Sequence, residues 1–438
     1  MSASAVMLEN SSVRRQPFGG AYLSLLLFML IYCARPEDWI PGVGHLPLAK
    51  IIGFVVIVAG IVSVGQSRRR LPRETLYLLA FTACLWFSVP FSPVWRGGAF
   101  WGAFEFTKLV PVIFVMILAV TTVERLRRLI LVQTASVAVI SCVTIWKART
   151  LHGRLTGVLS GNYSNANDLA IQIVVCLPFC LVFLLQARKP LIKAAWGLAI
   201  LCMSYGVFLT GSRGGFLAWA VVMAICAWQF GIRGRRRWLI VLSFVGALLM
   251  GVVGGGIVAS RFAAITDAKT DASAYASAQD RKKLFLLAFE ETAEHPLFGI
   301  GVENFPVISG MWLEDHDIFT QISAEVGIPA LILFLMIVVR GFRNVREVKR
   351  VETLRSERMI WAQGLYASLV GLVVTTTFAP DAYQYFVYIL LSYPSALLLI
   401  TREDRRILEN KKQEGKPGRS IEERNEQRFE SELQWSSF

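Results

Sequence analysis

Apolar runs of 15 to 22 residues recur along this 438-residue chain, separated by breaks rich in Arg, Lys, Pro or Gly. Crossing about 30 Å of hydrocarbon takes roughly 17 to 25 helical residues. A backbone without water closes its own hydrogen bonds, so such runs read as transmembrane helices. A chain that is 55% hydrophobic and only 17% charged is too apolar for a soluble protein of this size.

Twelve spans are predicted, and the fold class is therefore an all-α, polytopic integral membrane protein. The first nine cover approximately Gly19–Cys33, Pro47–Gly65, Leu76–Phe91, Leu109–Val123, Leu129–Trp146, Leu169–Leu185, Leu191–Leu209, Gly215–Phe230 and Trp238–Ala259. The last three cover Phe319–Val339, Met359–Phe378 and Tyr385–Ile400. The organisation expected is an N-terminal segment 1–18, helices one to nine in 19–259, a loop 260–318, helices ten to twelve in 319–400, and a polar tail 401–438. No small-residue cleavage site follows the first span, which reads as a retained helix and not as a signal peptide.

Lys and Arg gather on the cytoplasmic side of membrane proteins. Placing the N-terminus inside puts 32 of the 45 Lys and Arg in inside segments, so both ends are expected in the cytoplasm. The net charge of +14 is accounted for by this topology signal, in runs such as Arg68-Arg69-Arg70 and Arg235-Arg236-Arg237, and not by nucleic-acid binding. All seven cysteines fall inside predicted spans without metal or haem spacing, as small packing residues would. The spans hold few ionisable groups, which disfavours ion-coupled transport.

The loop 260–318 is long enough to fold by itself. Asp280 is placed to cap a helix from Arg281 to about Ala293, lying on the membrane surface and stopped by His295-Pro296. All four histidines, His45, His152, His295 and His316, fall in outside segments, where an anionic substrate is one explanation.

Four constellations carry candidate chemistry. Thr210-Gly211-Ser212-Arg213-Gly214-Gly215 is an outside turn leading into a helix. Its glycines, helix N-terminus and arginine fork suit a phosphate, although an arginine snorkelling at the interface has the same pattern. Arg281, Lys282 and Lys283 open the surface helix against its dipole, which reads as a functional placement or as binding to lipid headgroups. Asp315-His316-Asp317 offers a general base near neutral pH, a cap for the tenth helix, or an Asp-x-Asp metal pair without a supporting carboxylate cluster. The segment Arg154–Asp168, RLTGVLSGNYSNAND, is turn-rich and hydrogen-bonding before the sixth helix.

These segments together resemble the O-antigen ligase and O-antigen polymerase superfamily of bacterial envelope enzymes, over roughly Arg154 to Leu335. The pieces are RLTGVLSGNYSNANDLA, TGSRGGFLAW, DRKKLFLLAFEETAEHPLFGIGVENF and HDIFTQISAEVGIPALILFL, in that order. His316 followed by Gly327 looks like the ligase pattern, with Glu325 in its usual neighbourhood, and Arg213 and Arg281 match the two essential arginines. The chain departs from the pattern at Tyr163-Ser164-Asn165-Ala166-Asn167, where relatives carry Asn-Pro-Asn, and at Asp317, where Asn is common.

The resemblance implies a GT-C-like membrane enzyme of the inner membrane, with one long periplasmic loop containing the surface helix and with its site facing the periplasm. It implies transfer of a glycan from undecaprenyl diphosphate to an acceptor hydroxyl, lipid A-core or another glycan or protein, with inversion and without metal or other cofactor. His316, Arg213 and Arg281 are then the catalytic candidates; Arg154, Asn165, Asn167, Ser212 and Glu325 are the secondary candidates for substrate contact. Polymerases and protein O-glycosylating ligases share these motifs, and a lipid-linked glycan transporter is the rival from another class.

Overall fold

The computed structural model describes residues 18–40, 47–64, 71–147, 150–151, 154–155, 163, 165–263, 272–354 and 356–414. Within them the chain is almost wholly helical: α1 (Gly19–Ala34), α2 (Pro36–Trp39), α3 (Leu48–Val64), α4 (Arg73–Phe91), α5 (Arg96–Thr107), α6 (Leu109–Ala119), α7 (Val123–Lys147), α8 (Ala166–Gln186), α9 (Pro190–Thr210), α10 (Arg213–Cys226), α11 (Trp238–Ala263), α12 (Ala272–Glu294), α13 (Phe305–Ile308), α14 (Ile318–Val326), α15 (Ile328–Val351), α16 (Glu357–Thr376) and α17 (Tyr385–Glu414). A two-residue antiparallel pair, β1 (Thr150–Leu151) with β2 (Arg154–Leu155), interrupts them.

Ten helical segments among the described residues are long and apolar enough to cross a membrane, which makes the chain a polytopic membrane protein. The second expected span coincides with α3, a shorter apolar helix of 17 residues, and the ninth with α11. Trp95, Trp101 and Phe104 stand exposed near one end of the bundle, as residues at a lipid headgroup layer do.

At the centre lies α8, which packs on α7, α9, α10 and α16 and buries most of its length. Buried polar side chains tie distant helices together. Asn344 of α15 donates to Glu74 Oε1 of α4 at 2.7 Å and to Ser395 Oγ of α17 at 3.0 Å, while Tyr393 donates to Gln133 Oε1 at 2.7 Å. Such groups are costly to bury unpaired, so they fix which helix faces meet.

Four segments differ from the sequence-based expectation. The span expected to start at Leu109 begins at Arg96, because α5 and α6 run on as one candidate span, Arg96–Ala119. Lys108 pairs with Glu105 one turn earlier and lies 4.7 Å from the Phe104 ring, so neither charge ends the segment. The surface helix starts at Ala272 and not at Arg281, since alanine has the highest helix propensity and ASAYASAQ carries four.

The tenth span, expected from Phe319, is broken at Gly327 into α14 and α15, and the crossing candidate is Ile328–Val351. Gly327 has φ +95, and a Cβ there would stand 2.5 Å from the Leu297 carbonyl oxygen, so the break requires glycine. The last span does not give way to the polar tail at 401: α17 continues to Glu414, with Arg402 donating to Glu347 Oε1 at 2.7 Å. Residues 415–438 of that tail, the segment 1–17, and His45 and His152 lie outside the described residues.

Candidate active site

The chain breaks between α9 and α10 at Gly211, and Ser212 caps α10 by accepting the Gly215 N–H at 3.2 Å. That bond uses one of the donors a phosphate would have claimed, so what this turn presents is Arg213, the first residue of α10. Gly214 is a point of close approach: a Cβ there would meet Phe378 Cβ at 2.5 Å, which is how the end of α16 reaches the start of α10.

α12 is amphipathic in a way that serves two neighbours. Leu284 and Ala288, one turn apart, are buried with Ile300, Phe305 and Ala324. Thr292 and Ser323 hydroxyls are 2.9 Å apart, fastening its C-terminal end to α14. Ala278, Arg281, Lys282 and Phe285, spaced i, i+3, i+4 and i+7, form another face and line a cavity. The cationic cluster therefore sits in mid-helix, where the argument from the helix dipole does not apply.

The Asp315-His316-Asp317 tripeptide is divided in its duties. Asp317 is the N-cap of α14, accepting the Phe319 N–H at 2.7 Å and the Thr320 N–H at 3.3 Å, so His316 is not the cap. Asp315 accepts the Thr320 hydroxyl and the His316 backbone N–H. Burial pushes the Asp315 carboxyl up to about 7 and raises that of Asp317. Both carboxylates are thus committed to local hydrogen bonds. Among the described residues, the His and carboxylate group whose ligand atoms lie within 4.8 Å of one another is Glu291, Glu294 and His295, at the far end of α12.

These pieces close around one cavity of about 530 Å³. Arg213, Gly214 and Leu217 enter from α10, Arg281, Lys282 and Phe285 from α12, Asp315, His316 and Asp317 from the approach to α14, and Thr377 and Phe378 from the end of α16. The three catalytic candidates, Arg213, Arg281 and His316, are all in its wall. Thr377 and Phe378 carry no sequence signal of their own: they read as the end of an apolar span, and only the chain's path brings them here.

The secondary candidates lie elsewhere. Ser212 is the buried cap beside Arg213. Asn165 caps α8 by accepting the Asn167 N–H at 2.9 Å, and Asn167 is itself buried. Glu325 is fully buried and accepts the Phe305 N–H at 3.1 Å. None of these four lines the cavity. Arg154 is in β2; its side chain, like much of the turn-rich segment after it, lies outside the described residues.

The architecture and this cavity define a polytopic α-helical membrane protein with a basic, histidine-bearing recess at one end of its bundle. Residues 198–335 match the model of the O-antigen ligase family, and the match supports the O-antigen ligase superfamily for this chain. The interval runs from within α9 into α15 and holds Arg213, Arg281, His316 and Glu325; Arg154, Asn165 and Asn167 precede it. No curated protein matches the chain. Together, family and apolar helices support an O-antigen ligase- or polymerase-type membrane enzyme of lipopolysaccharide biosynthesis, a class that implies a lipid-linked glycan donor and a glycan acceptor.

Proposed function

We propose that the chain transfers a glycan from undecaprenyl diphosphate to a hydroxyl of lipid A-core or a similar acceptor, at the periplasmic face of the bacterial inner membrane. The observation that carries this reading is the convergence of Arg213, Arg281 and His316 on one cavity, from three elements far apart in sequence.

The acceptor oxygen attacks the anomeric carbon while His316 takes the hydroxyl proton. The bond from that carbon to the carrier's phosphate oxygen breaks, its electron pair leaves with the lipid diphosphate, and attack from the opposite face inverts the anomeric centre. Arg213 and Arg281 stabilise the charge that grows on the departing phosphate, and such preorganised charge acts most strongly where water is excluded. At an effective dielectric of about 20 and a separation of about 4 Å, one cation and one phosphate charge attract by about 4 kcal/mol before desolvation. Leu217 and Phe285 supply apolar wall beside the charged groups, as a prenyl chain or a sugar face requires. In this reading the guanidinium groups do the work of a metal ion.

The test uses purified protein in liposomes with undecaprenyl diphosphate-linked glycan, with and without EDTA, and with lipid A-core or a second lipid-linked glycan as acceptor. Glycan on lipid A-core, unchanged by EDTA, is the expected result. Longer lipid-linked chains would make the enzyme a polymerase, and no product with either acceptor would overturn the reading.

A further inference from the structure

At the other end of the bundle a second cavity, of about 580 Å³, is lined by Arg233, Arg346, Lys349 and Arg350. It shares two helices with the Arg213 cavity and stands at their opposite ends. Arg213 and Arg233 begin and end one 21-residue candidate span, which at 1.5 Å per residue is about 30 Å, the depth of the hydrocarbon core. On α16, Met359 and Gln363 near its start face this second cavity, while Thr377 and Phe378 just past its end face the first.

Three other cations of the neighbouring helices are neutralised: Arg340 pairs with Glu74 at 3.2 Å, Arg358 with Glu352 at 3.0 Å, and Arg402 with Glu347 at 2.7 Å. Among the described residues, no carboxylate lines the second cavity and none of its four cations is in an ion pair. The rule that loads one membrane face with Lys and Arg explains their number. It does not explain four of them turned to one concavity without a counter-charge.

Two of the four are positioned by built contacts. Lys349 Nζ donates to Gln229 Oε1 at 2.7 Å and lies 4.9 Å from the Tyr366 ring centroid; the Arg233 guanidinium lies 5.9 Å from that of Trp228. Gln229 is buried, and its backbone carbonyl accepts the Gln363 side-chain N–H at 3.1 Å. It sits in the π-helical stretch Ala227–Arg233 that ends the span, and interruptions of this kind recur at functional sites. The remaining wall includes Ile225, Leu354 and Met359, apolar groups beside the cations.

We propose that this cavity is a binding site for a phosphate-bearing group, separate from the transfer site and at the opposite membrane surface. Arg346 and Arg350, one turn apart on α15, grip the phosphate with Arg233, and Lys349 completes the charge from its Gln229 anchor. The phosphate belongs to the headgroup of an anionic phospholipid, for which basic pockets between helices are suited, or to a soluble phosphate or diphosphate.

The experiment has two arms. In the first, full-length protein reconstituted with equal phosphatidylglycerol and phosphatidylcholine is examined by native mass spectrometry for retained lipid. In the second, delipidated protein in neutral detergent is titrated with inorganic diphosphate and its melting is followed. A preference for phosphatidylglycerol of about tenfold or more, lost in Arg346→Gln/Arg350→Gln and kept in the distant Arg405→Gln/Arg406→Gln, assigns the site to a lipid headgroup. Stabilisation by diphosphate without lipid preference, lost in the same double variant, assigns it to a soluble phosphate. Arg346→Lys/Arg350→Lys keeps the charge and retains binding, which separates lost charge from lost fold. Equal retention of both lipids with no response to diphosphate overturns the proposal, as does any preference that Arg346→Gln/Arg350→Gln leaves intact.

Discussion

Glu325 accepts the backbone N–H of Phe305 at 3.1 Å, from a side chain that is fully buried. Around that bond the return from α12 is stitched to α14 and the start of α15. The Ile300 N–H reaches the Ala324 carbonyl at 2.9 Å, the Gly301 N–H reaches that of Glu325 at 2.9 Å, and the Ile328 N–H reaches that of Pro296 at 2.8 Å. Arg281 stands on α12 and His316 just before α14, so this stitching holds the separation between the two. A site that works by prepositioned charge depends on such support, because a group free to wander must be reorganised in every turnover.

Arg213→Ala, Arg281→Ala and His316→Ala are each expected to lower glycan transfer at least about a hundredfold, the lower range for a lost general base or a preorganised donor. Membrane insertion should be unchanged, since all three line a cavity and not the core. Initial rates in liposomes, alongside the quantity of inserted protein, check this. A His316 variant with normal transfer would remove that residue from the mechanism.

Arg281→Lys is expected to recover only part of the activity, because an ammonium is a point charge and cannot grip two phosphate oxygens with a planar fork. Transfer rates for the lysine and alanine variants, measured side by side, distinguish a bidentate contact from simple attraction. Full activity of the lysine variant would favour attraction.

Stability should fall as pH rises from about 4 to about 8. Burial pushes the Glu325 carboxyl up to about 8 from an ordinary value of 4.5, and that of Asp315 up to about 7 from 3.8. For a carboxyl whose pKa is raised by folding, the folded state binds the extra proton. Its contribution is complete below the unfolded value and is lost as pH climbs through the folded one. The melting midpoint in detergent is therefore expected to drop between about pH 4 and about pH 8, and to level off above that. Glu325→Gln keeps an acceptor for the Phe305 N–H and removes one titration, so its drop should be smaller; an identical drop would count against this cause.

Gly327→Ala should cost about 1 to 3 kcal/mol, the usual range for a side chain forced into a disfavoured backbone region. A clash with the Leu297 carbonyl adds to it. Because Gly327 joins the stitched ledge to the spanning α15, the variant is also expected to transfer glycan more slowly at a normal expression level. Melting and rate measured on one preparation would test both, and an unchanged midpoint would deny the strain.

The helical, membrane-spanning character of the chain is legible in the sequence because hydropathy is a local property, summed over neighbours without knowledge of the fold. So are Arg213, Arg281 and His316, whose residue types and motif neighbourhoods stand out against apolar surroundings. Local reading fails where a charge is cancelled by a partner one turn away, as with Glu105 and Lys108, or where an alanine-rich stretch with polar residues passes for a loop, as before Asp280. It also ran the tenth span through Gly327, whose positive φ answers to the approach of Leu297.

By itself the sequence determined that the backbone must be helical in lipid and which few side chains carry charge or a titratable ring outside the spans. The tertiary structure alone decided that Arg213, Arg281 and His316 share one cavity with Phe378, that Glu325 serves the backbone, and that four cations meet at the other end of the same helices. The physical reason is one of range. Apolar burial and helix formation are set within a few turns of chain, whereas a site is made of side chains that only the packing of separate helices brings together.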